Sequence, residues 1–267
     1  MKKPPVVRKC AFPMRLTHSQ RPPKAVLLIH GYAGYPGELA LAASSLYEAG
    51  CDVVVPRLAG HGTNGADFCL TNRHNWLGCV EVELQNMLSM YEEVSLVGHS
   101  MGAAIAVLLM AAYSVGPSVV LAPALEIPAL NHAAVSLLSL FVKDKKVAWQ
   151  PDPRYRFFDQ RDEDDDLYLG SEYWSHLYFK QLRQLSLLRK EALGALHGVT
   201  TDLLVITGDL DETIGKEVGK VITQKIQGKS KHVRLAQGTH FLPYDIDDEA
   251  RQETMRLLVD WIVRPLS

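Results

Sequence analysis

Gly98-His99-Ser100-Met101-Gly102 sets a serine between two glycines, with the apolar run 94–97 before it and an apolar stretch opening at Met101 after it. This order reads as strand, sharp turn, helix. A serine nucleophile on such a turn sits at strained backbone angles, so its neighbours two places away on either side must be small, as Gly98 and Gly102 are. Ser100 is therefore the candidate nucleophile. The plainer reading makes it a helix N-cap.

A serine hydroxyl is a poor nucleophile at neutral pH and needs a base held in one tautomer. Of the ten histidines, His30 and His99 adjoin motifs but leave their strands in directions set by backbone roles. His240 lies in the loop Gly238-Thr239-His240-Phe241-Leu242 just after the last apolar run, where the working loops of a doubly wound sheet are found. The orienting acid should follow another such strand, and 203–207 leads into Gly208-Asp209-Leu210-Asp211-Glu212. Asp209, Asp211 and Glu212 are the candidates. Asp211 is favoured over Asp209, because a residue too close to the strand end points back along the sheet, although any of the three could instead cap the next helix. Two backbone N–H groups are also needed for a developing oxyanion. Met101 supplies one from the turn, and Tyr32, in the glycine-bearing loop His30-Gly31-Tyr32-Ala33-Gly34, is expected to supply the other.

These residues need a frame. Short β-branched or leucine-rich runs at 25–29, 52–55, 94–97, 118–121, 203–207 and 232–235 read as strands, mostly apolar throughout, as in a parallel sheet covered on both faces. The last mixes polar residues and belongs near an edge. Helical patterns at 37–49, 74–93, 101–113, 212–226 and 249–263 alternate with them, which predicts an α/β fold with a doubly wound, mostly parallel sheet. Between 122 and 201 the alternation breaks. An amphipathic stretch at 133–142 and a 3.6-period pattern through Leu177, Leu182, Leu185, Leu188, Ala192 and Leu196 predict an inserted helical cap, divided as 1–122 and 201–267 for the core and 123–200 for the cap. Residues 149–179 hold nine aromatics, among them Trp149, Phe157 and Trp174, which are expected to line an apolar binding surface. Such side chains could equally serve to pack the insertion onto its host. The acidic run Asp162 to Asp166 repels itself and is expected to be an exposed loop, without the glycine and ligand spacing of a calcium loop.

Composition narrows the class. With 267 residues, Lys+Arg 28 against Asp+Glu 30 and 47% hydrophobic residues, the chain can bury a large core and offers no basic footprint for nucleic acid or an anionic membrane. Cys10, Cys51, Cys69 and Cys79 show no C-x-x-C spacing and read as reduced thiols. The basic start lacks a signal-like apolar segment, and the longest apolar stretch, 103–113, is too short to span a bilayer. No integral membrane span and a cytoplasmic location are the expectation.

Together, His30-Gly31, Pro56-Arg57-Leu58-Ala59-Gly60-His61-Gly62, Gly98-His99-Ser100-Met101-Gly102, Gly208-Asp209-Leu210-Asp211 and Gly238-Thr239-His240 resemble the α/β-hydrolase family. The resemblance is to its capped carboxylesterase and monoacylglycerol lipase branch, which also contains serine aminopeptidase-like members, and it covers 25–122 and 201–263. It implies an α/β-hydrolase fold and a Ser100-Asp211-His240 triad. It further implies cleavage of carboxylic esters of small to medium acyl chains through an acyl-enzyme, with no metal or organic cofactor and a structural role for His61. Hydrolysis of an amide, thioester or carbon–carbon bond shares the same nucleophile and stays open, as does a ligand-binding homologue without turnover.

Overall fold

The computed structural model describes residues 5–152 and 163–263. Its strands are β1 (Met14–Leu16), β2 (Lys24–Ile29), β3 (Asp52–Val55), β4 (Glu93–His99), β5 (Ser118–Leu121), β6 (Asp144–Lys146), β7 (His176–Tyr178), β8 (Leu203–Gly208) and β9 (Ser230–Leu235). Its helices are α1 (Ala40–Glu48), α2 (Gly65–Phe68), α3 (Arg73–Leu88), α4 (Met101–Ala112), α5 (His132–Phe141), α6 (Glu163–Leu169), α7 (Phe179–Ala195), α8 (Val218–Lys225) and α9 (Asp248–Val263).

The apolar runs pair side by side in the order β1-β3-β2-β4-β5-β8-β9, all parallel except β1, which lies antiparallel on β3. Residues 25–29, 94–99, 118–121 and 203–208 are all buried. Because successive side chains of a strand point to opposite faces, this burial requires cover on both sides of the sheet. One group of helices pairs α1 with α9, and another packs α4 and α3 against α7. The polar strand β9 takes the edge, as its mixed composition predicts. Strands that run the same way deliver their following loops to one edge of the sheet. The loops after β2, β4, β8 and β9 meet there, and these carry the candidate residues.

Several boundaries differ from the sequence pattern for local reasons. The helix expected from 212 begins only at Val218, because the Asp211 carboxylate takes the amides of Thr213 and Ile214 and bends the chain into a turn first. Leu177 sits in β7 and is partly exposed, so the helical pattern starts two residues later, at Phe179. The acidic run is not wholly a loop: helix α6 starts at Glu163, and Asp165 is buried, accepting hydrogen bonds from Arg8 Nε at 2.5 Å and from the Cys10 amide at 3.3 Å. A buried carboxylate is tolerated when its charge is paired and its lone pairs are filled.

Within 123–200, β6 and β7 form a small antiparallel pair, joined also by His176 Nδ1 and Asp144 at 2.7 Å. Helix α7 lies against α4, α5 and α3. The buried Gln181 amide stitches it to the carbonyls of Phe68 and Thr71, at 3.1 and 3.2 Å.

Candidate active site

Ser100 follows directly on β4 and has φ 55° and ψ −115°, a left-handed backbone that side chains disfavour. Such strain, on the order of 1–3 kcal/mol, persists only where the surroundings over-determine it. Here the Ser100 amide donates to the Leu121 carbonyl at 2.9 Å, and its own carbonyl accepts from the amides of Ala103 and Ala124, both at 3.1 Å. The flanking glycines are required sterically. A Cβ on Gly98 would run into the backbone of Gly102 and Ala103, and one on Gly102 into the carbonyl oxygens of Ile29 and His30.

The loop after β9 brings His240 to this serine. Its Nε2 lies 2.9 Å from Ser100 Oγ and its Nδ1 lies 2.8 Å from Asp211 Oδ2. A carboxylate can only accept, so Nδ1 carries the proton and Nε2 is left to accept from the serine hydroxyl. The Asp211 side chain is 1% exposed and that of His240 11%. Burial alone would push the Asp211 carboxyl up. The hydrogen bond and charge of His240, with the amides of Thr213 at 2.7 Å and Ile214 at 3.2 Å, more than offset it and hold the group below its ordinary value. Asp209 is turned elsewhere, half-exposed and bound to Arg234 at 2.7 Å, and Glu212 is exposed. Of the three acids that follow β8, Asp211 is the one at the histidine.

Two further residues fix His240, and sequence reasoning did not single out either for this task. Asp245 is buried and accepts from the Thr239 amide at 2.7 Å and hydroxyl at 2.9 Å, while Thr239 Oγ1 accepts from the Phe241 amide at 3.2 Å. No motif marks a six-residue loop spacing of this kind. His99, 2% exposed, donates from Nε2 to the His240 carbonyl at 2.9 Å. Burial first, and then the neighbouring His240, push His99 down to about 3, so it stays neutral beside a base that must itself become charged.

The loop after β2 passes over the serine. Gly31 is so close that an added Cβ would stand 3.3 Å from Ser100 Cβ. His30 donates from Nδ1 to the Gly31 carbonyl at 3.0 Å, and its Nε2 accepts from the Leu58 amide at 3.2 Å. The turn closes with the Gly34 amide on Gly31 O at 3.2 Å, and Ala33 takes φ 56°. Tyr32 lies within this turn. Its ring packs on Phe68 and Trp76, and burial raises its hydroxyl well above the ordinary range. Met101 opens α4, so its amide is one of the N–H groups a helix start leaves without an intrahelical partner, at the positive end of the dipole. His61 is buried in the loop after β3, donating from Nδ1 to the Ala59 carbonyl at 3.0 Å.

A cavity of about 380 Å³ opens above these groups, lined by Gly31, Tyr32, Glu38, His99, Ser100, His240, Phe241 and Tyr244 from the sheet-edge loops and by Trp149, Gln150, Pro151, Asp152 and Trp174 from the insertion. Two of the three aromatics singled out in the sequence, Trp149 and Trp174, are among these lining residues. Phe157 falls outside the described residues. Among the described residues no group of three or more His, Cys, Asp or Glu side chains could hold a metal ion, and no helix is long and apolar enough to cross a membrane.

Residues 26–255 match the sequence model described as the alpha/beta hydrolase family. A thermostable monoacylglycerol lipase from Bacillus sp. (strain H-257) is 34% identical over 85 residues, 32% of this chain and 34% of that protein, so the match spans about a third of the relative's length. Among solved structures, a metagenome-derived lipolytic enzyme superposes with a TM-score of 0.80 at 19% identity, covering 95% of this chain and 99% of the other. A soluble variant of monoglyceride lipase from Saccharomyces cerevisiae, in complex with a substrate analog, superposes with a TM-score of 0.76 at 15% identity, covering 94% and 90%.

Proposed function

From the chain's membership of the alpha/beta hydrolase family, we propose that it is a serine hydrolase that cleaves carboxylic esters of small to medium acyl chains through an acyl-enzyme, with Ser100, His240 and Asp211 as its triad. The observation that carries this reading is the chain of hydrogen bonds from Ser100 Oγ through His240 to Asp211, at 2.9 and 2.8 Å, with Ser100 and His240 in the wall of the cavity. The names of its relatives, monoacylglycerol lipase and lipolytic enzyme, support an ester as the bond cleaved.

In this mechanism Ser100 Oγ attacks the ester carbonyl carbon as its proton passes to His240 Nε2. The carbonyl oxygen becomes an oxyanion that accepts from the amides of Tyr32 and Met101. Collapse of the tetrahedral species breaks the bond to the alcohol, which leaves with the proton from His240. Water then repeats the sequence on the acyl-enzyme, giving its proton to His240 and releasing the acid and the free serine. Asp211 keeps the imidazole in the required tautomer and stabilises its charged form. Residues 123–200 act as a cap over the core, and Trp149 and Trp174 form the acyl wall.

A fluorophosphonate probe followed by mass spectrometry tests this, since it reports an activated serine without a known substrate. One adduct on Ser100, absent from Ser100→Ala, is the expected result. An unlabelled native protein would refute the serine mechanism, and faster turnover of an amide than of the matched p-nitrophenyl ester would refute the ester assignment.

A further inference from the structure

We propose that Trp174 is a positioning residue for the oxyanion loop, acting through its indole N–H on the Ala33 carbonyl. This rests on the acyl-transfer reading above, in which Tyr32, the residue before Ala33, supplies an oxyanion donor. Ala33 stands at φ 56°, in the left-handed region, without being a glycine. Relaxing that angle would rotate the Tyr32–Ala33 peptide and move Tyr32 with it. Two hydrogen bonds oppose the relaxation. The Gly34 amide closes the turn on Gly31 O, and Trp174 Nε1 donates to Ala33 O at 3.2 Å. The first comes from within the loop, whereas the second reaches it from the insertion.

A tether holds only if its far end is fixed, and this one is. Trp174 ends the turn Gly170–Trp174, and the two residues before it are fastened to the loop after β3 and to the start of α2. The buried Tyr173 hydroxyl donates to Gly60 O at 2.8 Å and accepts from the Thr63 amide at 2.9 Å. Glu172 Oε2 accepts from the Gly65 amide at 2.7 Å, and its carbonyl accepts from the Tyr178 hydroxyl at 2.6 Å. The indole itself is held between the rings of Trp149, 5.4 Å away, and Tyr35, 6.5 Å away. The N–H is therefore presented to Ala33 at no further ordering cost, and the insertion takes part in the catalytic geometry besides walling the cavity.

The test separates a positioning role from a lining one. Replacing the Trp174 indole by the isosteric benzothiophene, incorporated as the unnatural amino acid, keeps the shape and removes the N–H; Trp174→Phe is the second variant. Turnover is measured on p-nitrophenyl acetate and on a longer p-nitrophenyl ester, together with the affinity for a trifluoromethyl ketone, whose tetrahedral adduct places an oxyanion in the same site. Loss of one neutral hydrogen bond should lower kcat about three- to tenfold on both esters, with KM within about twofold, and weaken the ketone by a similar factor. An unchanged kcat in the isostere, or a loss confined to KM or to the longer ester, would make Trp174 a wall residue and overturn the proposal. Fluorophosphonate labelling of the unmodified protein comes first. If Ser100 takes no label, the acyl-transfer reading fails and this inference falls with it; if it does, the kinetics judge the inference alone.

Discussion

Acidification should destabilise this fold through histidines it keeps neutral. His61 and His99 are buried, and burial, ahead of nearby positive charge, pushes them down to about 4 and about 3; His30 is lowered for the same first reason. Among the described residues His61 Nε2 and His99 Nδ1 have no hydrogen-bond partner, so a proton added at either would bring a buried donor that none of them accepts. An unfolded histidine titrates near 6.5. Between the folded and unfolded values the unfolded chain binds protons that the folded one refuses, so stability rises with pH across that window and is lost as pH falls below about 6.5. Going from pH 7 to pH 5, linkage gives a loss of about 2 kcal/mol for each such histidine, or about 4 kcal/mol for His61 and His99 together. Urea unfolding followed by circular dichroism at the two pH values measures this drop. The sharper quantity is the change in the drop for His61→Gln. Losing the bond to Ala59 lowers its stability at both pH values, but its pH 7 to 5 drop should shrink by about 2 kcal/mol, since one titrating group is gone. A parent drop below about 1 kcal/mol, or an equal drop in both proteins, would refute the argument that burial holds these rings neutral.

Gly102→Ala should destabilise the fold by more than about 3 kcal/mol, because its Cβ meets the backbone oxygens of Ile29 and His30, which cannot yield cheaply. Gly78→Ala, in the middle of α3 with nothing near the added atom, should raise stability by about 0.5–1 kcal/mol; thermal melts of both variants check the pair. Asp211→Asn keeps an acceptor for the Thr213 and Ile214 amides and so should fold, while kcat on an ester falls about a thousand- to ten-thousandfold through loss of the charged, tautomer-fixing partner. Trp149→Ala should shift the kcat/KM ratio of a longer ester to an acetyl ester by about fivefold or more while changing acetyl turnover less. Equal losses on both would mean that the ring, pressed on Gly170 and Trp174, only holds the insertion together.

The sheet was legible because its inner strands obey one rule, continuous burial on both faces, which leaves runs such as Ala25 to Ile29 and Leu203 to Ile206 apolar throughout. The antiparallel β1 escaped because three residues at an edge, with the pattern Met14, Arg15, Leu16, carry no such run. The small β6–β7 pair escaped because Asp144, Lys145 and Lys146 have neither apolar alternation nor β propensity. The serine turn was legible for a stronger reason: Gly98 and Gly102 are required by backbone contact, and a steric demand of that kind always shows in the sequence. The acid after β8 was only partly legible. Position favoured Asp211 over Asp209, but what separates them in space is that Arg234 on β9 engages Asp209, a pairing between strands that no local pattern contains.

The residues that hold the candidate site together share a property that hides them from motif reading. His99 bonds to the His240 carbonyl, His30 to Gly31, Asp245 to the Thr239 amide, and Trp174 to the Ala33 carbonyl. Each acts at least in part on main chain, and a main-chain carbonyl or amide is present whatever the side chain, so the partner residue leaves no complementary mark in the sequence. Chemistry at a reacting atom is stricter. A nucleophile, a base and a carboxylate must each be a particular residue type at the end of a particular strand, and that is why Ser100, His240 and Asp211 stand out before any coordinates do. The supports are nonetheless where the strain is met. The positive φ angles of Ser100 and Ala33 fall in the turn after β4 and the loop after β2, and both are secured by carbonyl or amide bonds reaching in from other elements. Precision at the site therefore depends on residues far apart in the chain, including one in the insertion, while the identity of the reacting groups depends on a few residues at the carboxyl edge of the sheet.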